Sequence, residues 1–232
     1  MNRRTFVKTL PAVTVLAGMA SGLPQDVQLV TLVKPESDGG TSVLAALRAR
    51  RTNRNISEKS LPPQMLSNLL WAAFGVNRES GPHEIPGRTA ATASNSQEID
   101  LYVVLPEGIY LYDAVPHRLV SVITGDLRAK LGAHGRRNAA VKAPVNLVFV
   151  ADIAKYKKAP FQEPGLRDPE IQKSYYNIAT GLIAGNVYLF AASQGLAAWF
   201  HNCDKETLAT ILNLRPEQRV LYAQTVGYPA ES

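Results

Sequence analysis

The stretch that decides the fold is IATGLIAGNVYLFAASQGLAAWF, residues 178–200. Residues 178 to 192 are almost all apolar or small, without the wide polar stripe of a surface helix, which is typical of a helix in a core or an interface. Gly195 is a suitable residue to end this helix, and Leu196 to Phe200 then predict a short strand. With Asp168 as its beginning, the helix over 168–194 is the longest predicted element.

Shorter elements are predicted on both sides of this helix. Pro106-Glu107-Gly108 separates two apolar strands and predicts a hairpin turn. Helices and strands do not alternate regularly, so we predict an α+β domain rather than a doubly wound α/β domain. The predicted helices cover 41–51, 61–76 and 204–214, and the predicted strands cover 99–105, 109–112, 145–151 and 220–226.

Composition restricts the possible functions. The 232 residues are 46% hydrophobic and 19% charged, which predicts one globular domain. Arg3, Arg4 and Lys8 supply half of the net charge of +6, so the remaining charge is too small to predict a nucleic-acid partner. One cysteine and four histidines without a ligand spacing predict no metal site and no intrachain disulfide. The sequence contains no apolar run long enough to predict a stable membrane span.

Residues 1–22 contain the three parts of a removable export signal. Paired arginines open a charged start, a mildly apolar stretch covers residues 9–17, and small residues follow at 18–22. This order is typical of a twin-arginine signal and predicts a periplasmic or otherwise exported protein. The alternatives are a disordered basic N-terminus and a short amphipathic helix that the mature protein retains. Residues 23–40 predict a linker or extended arm, and residues 41–232 form the predicted domain.

The first candidate binding cluster is Arg50-Arg51-Thr52-Asn53-Arg54, at the end of the first predicted helix. Three guanidinium groups and a hydroxyl can converge on one phosphate. A solvated basic helix end, stabilised by the helix dipole, is the alternative. The sequence contains no GxGxxG, P-loop, GxSxG or kinase motif, so other modes of phosphate and nucleotide binding have no support.

Two further clusters adjoin predicted strands. Ser94-Asn95-Ser96-Gln97 offers amides and hydroxyls that can pair with a polar ring edge, or that form an ordinary loop before the hairpin. Gly195 to Cys203 combines small residues, which allow close approach of backbone N–H groups to a planar ligand, with aromatic residues that can enclose it. Core packing is the alternative for this third cluster.

Together the clusters resemble the nitroreductase superfamily and, within it, the branch of SagB-type dehydrogenases. The likeness extends from about Ser42 to Pro229 and rests on the order and spacing of short motifs rather than on any one of them. These motifs are RRTNR at 50–54, LLWAA at 69–73, RT at 88–89, SNSQEIDLY at 94–102, GIYLYD at 108–113, AGNVYL at 184–189, ASQGL at 192–196 and VGYP at 226–229.

The resemblance implies a nitroreductase-like α+β fold: a central, mainly antiparallel sheet surrounded by helices, in an intertwined homodimer with FMN at the interface. Because no basic residue follows the last predicted strand, where many relatives have one, the phosphate site is expected to depend on residues 50–54 and the partner subunit. The implied FMN contacts are Arg50, Arg51, Thr52 and Arg54 for the phosphate and ribityl chain, Ser94, Asn95 and Gln97 for the flavin ring, and the backbone at His201, Asn202 and Cys203 for flavin N5 and O4.

The resemblance also implies a two-step ping-pong reaction in which hydride passes through flavin N5 to a small-molecule electron acceptor. NAD(P)H is the donor in most relatives, but it is scarce outside the cytoplasm, so the donor is left open. No catalytic side chain is assigned, although His201, Tyr175 or Tyr176 could donate a proton, and the loop over 77–92 is the candidate substrate wall. The alternatives are a SagB-like dehydrogenase that oxidises a ring or an amino-acid derivative, and a non-catalytic exported flavin-binding protein.

Overall fold

The computed structural model describes residues 28–131 and 142–231. The predicted export signal over 1–22 and the first residues of the predicted arm lie outside the described residues. The helices are α1 (Val43–Ala49), α2 (Pro63–Phe74), α3 (Pro169–Ser193) and α4 (Lys205–Ile211). The strands are β1 (Leu29–Thr31), β2 (Val76–Arg78), β3 (Gly87–Arg88), β4 (Ile99–Leu105), β5 (Gly108–Asp113), β6 (Arg118–Thr124), β7 (Val145–Asp152), β8 (Ala197–His201) and β9 (Gln218–Gly227).

Seven of these strands form one sheet in the order β1-β6-β5-β4-β7-β9-β8. Every neighbouring pair is antiparallel. The predicted α+β class and the mainly antiparallel central sheet are therefore confirmed. The hairpin also has the predicted turn, since Leu105 pairs with Gly108 and Tyr102 with Leu111.

Apolar layers cover both faces of the sheet. Successive side chains of its central strands point alternately into one layer and the other. On β7, Leu147 and Phe149 pack in the layer formed with α2 and α3. Val148 and Val150 point the other way and pack with Leu208 of α4. Since both faces of β7 are buried, its sequence is a continuous apolar run, as expected for a central strand.

Helix α3 begins and ends at residues suited to those positions. The Asp168 carboxylate accepts hydrogen bonds from the N–H groups of Glu170 and Ile171, and Gly195 follows the helix with a φ of 67°. One side of α3 is buried against the sheet, but Ile178 and Leu182 on the other side are 59% and 46% exposed. The uninterrupted apolar character of the helix thus has two causes: core packing on one side and an open apolar face on the other.

Candidate active site

The segment Arg50–Arg54, called here the arginine segment, lies against the edge strand of the sheet. Helix α1 ends at Ala49, and the Asn53 N–H then donates a hydrogen bond of 3.0 Å to the Ala198 carbonyl oxygen of β8. This backbone contact brings the first predicted cluster beside the third. The two clusters are more than 140 residues apart in sequence and form one surface.

The Tyr188 hydroxyl of α3 contacts both the arginine segment and β8. It accepts a hydrogen bond of 2.9 Å from the Phe200 N–H of β8 and lies 3.1 Å from the Thr52 hydroxyl. Because the Phe200 N–H can only donate, the Tyr188 proton is free to point at Thr52. One side chain of α3 therefore connects both clusters.

Two aromatic rings support the guanidinium groups. Arg50 lies 5.5 Å from the centre of the Tyr188 ring, and Arg54 lies 5.4 Å from the centre of the Trp199 ring. Both distances are within the range of cation–π attraction, which favours a positive group over a ring face. These contacts hold the charges at the surface without neutralising them.

The arginine segment has the electrostatics of an anion site. Arg50, Arg51 and Arg54 are exposed, and none of the ion pairs among residues 28–131 and 142–231 involves them. Like charges held this close repel each other, so a bound anion relieves the repulsion. A cavity of about 140 Å³ next to them is lined by Arg51, Asn53, Tyr188 and Gly195. Arginine forks, a hydroxyl and a small cavity fit a phosphate group.

In the 201–203 stretch the side chains of His201 and Cys203 are buried, whereas that of Asn202 is exposed. His201 is buried, with Nε2 2.9 Å from the Thr225 hydroxyl and Nδ1 2.7 Å from the Asn202 carbonyl oxygen. Burial lowers the pKa of His201 and raises the pKa of the Cys203 thiol to about 11. The backbone of these residues and the Asn202 side chain are left to face a ligand, and the His201 ring is not placed as a surface proton donor.

The 94–97 loop has a strained backbone held by its own side chains. Ser94, Asn95 and Gln97 all have φ near 50°, a region that residues other than glycine seldom occupy. The Gln97 amide accepts from Arg88 Nε at 2.6 Å and donates to the Pro86 carbonyl and to Asn95 Oδ1. Gln97 therefore orients Asn95, while the Asn95 NH₂ group retains its donors for a ligand.

A buried carboxyl group lies directly after this loop. Glu98 is fully buried, one carboxyl oxygen accepts a hydrogen bond of 2.6 Å from the Ser96 hydroxyl, and the Tyr156 hydroxyl also lies near the carboxyl group. Burial, opposed in part by that hydrogen bond, raises the pKa of Glu98. Burial under the loop thus disfavours the charged form of the side chain.

Within one chain, the 94–97 loop and the arginine segment remain apart. The loop precedes β4 and the segment lies along β8, with β7 and β9 between them. Three strand spacings of about 4.8 Å separate β4 from β8 by roughly 14 Å. No hydrogen bond, ion pair or ring contact found among the described residues joins the two clusters.

Sequence reasoning passed over Tyr188 and Glu98 as functional candidates. Tyr188 carries one of the few polar groups in the apolar run over 178–192, and Glu98 is a charged residue directly before an apolar strand. A polar group inside an apolar pattern is buried with a partner or in a site, so both positions carried a usable signal.

The residues of the candidate substrate wall enclose a cavity with Asn95. This cavity has a volume of about 410 Å³, and residues between 77 and 92 provide most of its lining. Across residues 28–131 and 142–231, no group of three His, Cys, Asp or Glu side chains is placed to bind a metal ion. None of the helices in that part of the chain is long and apolar enough to cross a membrane.

Comparison with known proteins places the chain in a family. Residues 47–228 match the nitroreductase family. A candidate nitroreductase of Methanocaldococcus jannaschii is 27% identical over 154 residues, which is 63% of this chain and 71% of that protein. The crystal structure of a candidate nitroreductase from Ralstonia eutropha is 34% identical, has a TM-score of 0.76, and aligns over 88% of this chain and 90% of that chain.

One chain of the Escherichia coli microcin synthetase complex shares the fold at 18% identity, with a TM-score of 0.62 over 98% of this chain and 85% of that one. The fold, the family match over 47–228 and the relative from Ralstonia eutropha agree. This chain belongs to the nitroreductase family.

Proposed function

We propose that this protein is an FMN-dependent oxidoreductase that passes two electrons and a proton from a reduced donor to a small organic acceptor. The observation that carries the proposal is the convergence of Arg50, Thr52 and Arg54 with Tyr188 and Trp199 at the edge of β8. The family supports an oxidoreductase, and the unpaired guanidinium groups supply the charge that a flavin phosphate needs.

Each cluster has a separate role in this proposal. The arginine segment holds the phosphate, the backbone N–H groups of the 201–203 stretch face the polar edge of the ring, and Asn95 donates its amide hydrogens to it. Bound FMN would supply the two-electron chemistry that no side chain of the protein provides. With NADPH and a nitroarene, the balanced reaction consumes one NADPH and one proton and yields NADP⁺, a nitrosoarene and water.

The separation of the two halves of the site supports a homodimer in the proposal. Strands β7 and β9 lie between β4 and β8, and the 94–97 loop lies level with Arg219 of β9, whereas Ala198, beside the arginine segment, pairs with Val226 near the other end of β9. Two copies related by a twofold axis can place the 94–97 loop of one protomer against the arginine segment of its partner. The open apolar face of α3 offers a surface for that contact. The partner would then supply the ligand contacts that one chain does not bring together.

Flavin content and reduction test the proposed function. The purified protein should be yellow or become yellow with added FMN, and NADH or NADPH should bleach it in a stopped-flow experiment. Arg50→Ala should weaken FMN binding about 10-fold or more, since it removes a charged hydrogen bond. Arg167→Ala, which removes an exposed arginine before α3, is the matched control. Undiminished FMN affinity in Arg50→Ala contradicts the phosphate assignment.

The finer alternatives give different results in the same experiments. A SagB-like dehydrogenase would bleach on mixing with a reduced ring compound or an amino-acid derivative, and only slowly with NADPH. A non-catalytic flavin-binding protein would hold FMN but show turnover with neither donor. A colourless protein that cannot be reconstituted with FMN would contradict every flavin-dependent alternative.

We also propose export by the twin-arginine pathway, because a folded route allows a cofactor to be inserted before transport. Residues 1–22 fused to a reporter should direct it out of the cytoplasm. Replacing both Arg3 and Arg4 by lysine should retain the reporter inside, and continued export would contradict the proposal. If the protein is exported, we expect its physiological electron donor to differ from NAD(P)H, because NAD(P)H is scarce outside the cytoplasm.

A further inference from the structure

The 410 Å³ cavity beside Asn95 has an unusual balance of polar groups. It lies between the β2–β3 ribbon and residues 89–95, and its volume is in the range of small-molecule sites, about 300–1,000 Å³. Its lining residues include no carboxylate; its polar members are Asn77, Arg78, Arg88, Thr89, Thr92 and Asn95. We call it the arginine cavity after Arg78 and Arg88.

Arg78 is positioned by the ribbon rather than by a counter-ion. It pairs with Gly87, and a Cβ atom on Gly87 would lie 2.5 Å from Arg78 Nη2. The guanidinium therefore lies across the glycine backbone, where any larger residue would displace it. None of the ion pairs among the described residues involves Arg78, although Glu79 and Glu84 are exposed on the same loop. Its donors stay available to a ligand.

Arg88 of the same ribbon and Asn95 of the opposite wall add further donors. Arg88 Nε and Nη1 are engaged by the Gln97 amide oxygen at 2.6 Å and the Phe74 carbonyl oxygen at 3.2 Å, which leaves Nη2 free. Burial lowers the pKa of Arg88, yet a guanidinium stays charged in proteins. Asn95 uses only its oxygen, as the acceptor for Gln97. The cavity thus presents fixed positive charge and N–H groups together.

Part of the cavity lining is apolar and aromatic. Phe161 lines it with 47% of its surface exposed, and the His83 ring packs edge-on at 4.4 Å between ring centres. Ala90 and Ala91 continue the apolar lining. A flat ring can pack on such a surface, while an anionic group on the same molecule reaches the guanidinium groups.

We propose that the arginine cavity selects electron acceptors that carry a carboxylate on a planar ring, and that Arg78 is the residue that determines this specificity. The proposal rests on the proposed function, since Asn95 belongs both to this cavity and to the loop assigned to the flavin ring. A carboxylate pairs with Arg78 through two parallel hydrogen bonds, and Arg88 adds long-range attraction. The ring of the acceptor then lies beside Asn95.

A pair of acceptors of similar size tests the proposal. Steady-state reduction of 4-nitrobenzoate and of uncharged 4-nitrobenzyl alcohol is compared in the wild-type holoenzyme, Arg78→Ala, Gly87→Ala and the control Arg167→Ala. Arg78→Ala should raise KM for 4-nitrobenzoate about 10-fold and change KM for the alcohol less than about 2-fold. Gly87→Ala, which keeps the charge but displaces it, should act in the same direction. FMN affinity should be unchanged in both variants.

Calorimetric binding of benzoate provides a readout that does not depend on turnover. Benzoate should bind the wild-type protein and Arg167→Ala equally, and about 10-fold more weakly to Arg78→Ala. Equal effects of Arg78→Ala on the charged and uncharged acceptors, or a loss of FMN in that variant, would overturn the specificity proposal. If the protein neither binds FMN nor reduces a nitroarene, the proposed function fails, while the benzoate titration still decides whether the cavity binds carboxylates.

Discussion

At the scale of single residues, one hydroxyl connects the two parts of the candidate phosphate site. Tyr188 reaches from the C-terminal third of α3 to both Thr52 and the Phe200 N–H. Its ring also supports Arg50. A side chain with these three contacts sets the position of the arginine segment relative to β8. Its loss should therefore weaken ligand binding more than it destabilises the fold.

Tyr188→Phe should weaken FMN binding about 3- to 10-fold. The change removes two hydrogen bonds and leaves the Phe200 N–H without its acceptor, while the ring under Arg50 stays. Fluorescence titration of the apoprotein with FMN measures the effect. Tyr110→Phe, far from this site on β5, is the control. Equal FMN affinity in Tyr188→Phe and the wild type would show that the hydroxyl does not organise the site.

Glu98→Gln tests whether the buried carboxyl is neutral. Burial raises its pKa in the folded state above the unfolded value of about 4.3, so its contribution to stability is complete below that pH and is lost as the pH rises through the folded pKa. Glutamine resembles the neutral acid at every pH. The variant should therefore gain stability relative to the wild type between pH 5 and pH 8.

Thermal unfolding at those two pH values measures the difference, with about 2–4 °C in Tm expected for each 1 kcal/mol. Glu107→Gln, at the exposed hairpin turn, should show no comparable change. A Glu98→Gln variant that is less stable than the wild type at pH 8 would mean that the charged form is favoured, through Ser96 and Lys155. In that case Glu98, directly after the 94–97 loop, is an ionised carboxylate in the folded protein.

At the scale of elements, the strongest periodic patterns predicted the structure well. The 168–194 helix, the hairpin and the buried run over 145–151 were all found within a few residues of their predicted bounds. Strands β1, β6 and the β2–β3 ribbon were not predicted. The short strands β1, β2 and β3 gain their stability from the neighbour they pair with, and that neighbour is not visible in local sequence. Strand β6 is different, since it has seven residues between β1 and β5 and a sequence rich in β-branched residues that local reasoning could have detected. The site shows the same limit: residue types identified the clusters, but only the fold showed that β8, and not the 94–97 loop, adjoins the arginine segment.

The N-terminal arm, residues 28–36, is attached through a hydrogen-bonded histidine. The Ser67 hydroxyl donates to the Val33 carbonyl oxygen at 2.5 Å and therefore accepts from His117 Nε2 at 2.7 Å. His117 Nδ1 is then the acceptor for the Tyr112 hydroxyl at 2.9 Å. This chain of donors requires a neutral imidazole.

Acidification should loosen the arm. Burial lowers the pKa of His117, so its contribution to stability is complete above the unfolded pKa of about 6.5 and is lost as the pH falls toward the folded pKa. Hydrogen exchange of residues 28–36, corrected for the intrinsic pH dependence, should become faster between pH 7 and pH 5. His117→Gln should remove this pH dependence. Because the pKa of His201 is lowered too, the local exchange rate is measured rather than global stability. An arm that exchanges equally at both pH values contradicts the role of His117.

At the scale of the whole molecule, α1 and α3 both carry exposed apolar side chains, and the N-terminal arm carries others. Val43, Leu44 and Leu47 of α1 are more than half exposed, with Leu44 at 79%, and Ile178 and Leu182 lie on the outer side of α3. The two helices pack against each other. Apolar surface of this kind marks an interface more often than a free surface. It is also the surface through which a second copy could bring its 94–97 loop to the arginine segment.

We expect the protein to be a dimer in solution and to need the dimer for FMN binding. Light scattering should give about twice the chain mass of 25.2 kDa, less any removed signal. The double variant Ile178→Glu with Leu182→Glu places charges on the α3 face, so it should shift the protein to a monomer without changing the far-ultraviolet circular dichroism. That monomer should bind FMN at least about 10-fold more weakly, because it keeps the arginine segment but loses the partner's loop. Val115→Glu, at an exposed turn away from both helices, should remain a dimer with full FMN affinity. A folded monomer of the double variant that binds FMN as tightly as the wild type would show that one chain holds the whole site, and that the partner's 94–97 loop contributes nothing to FMN binding.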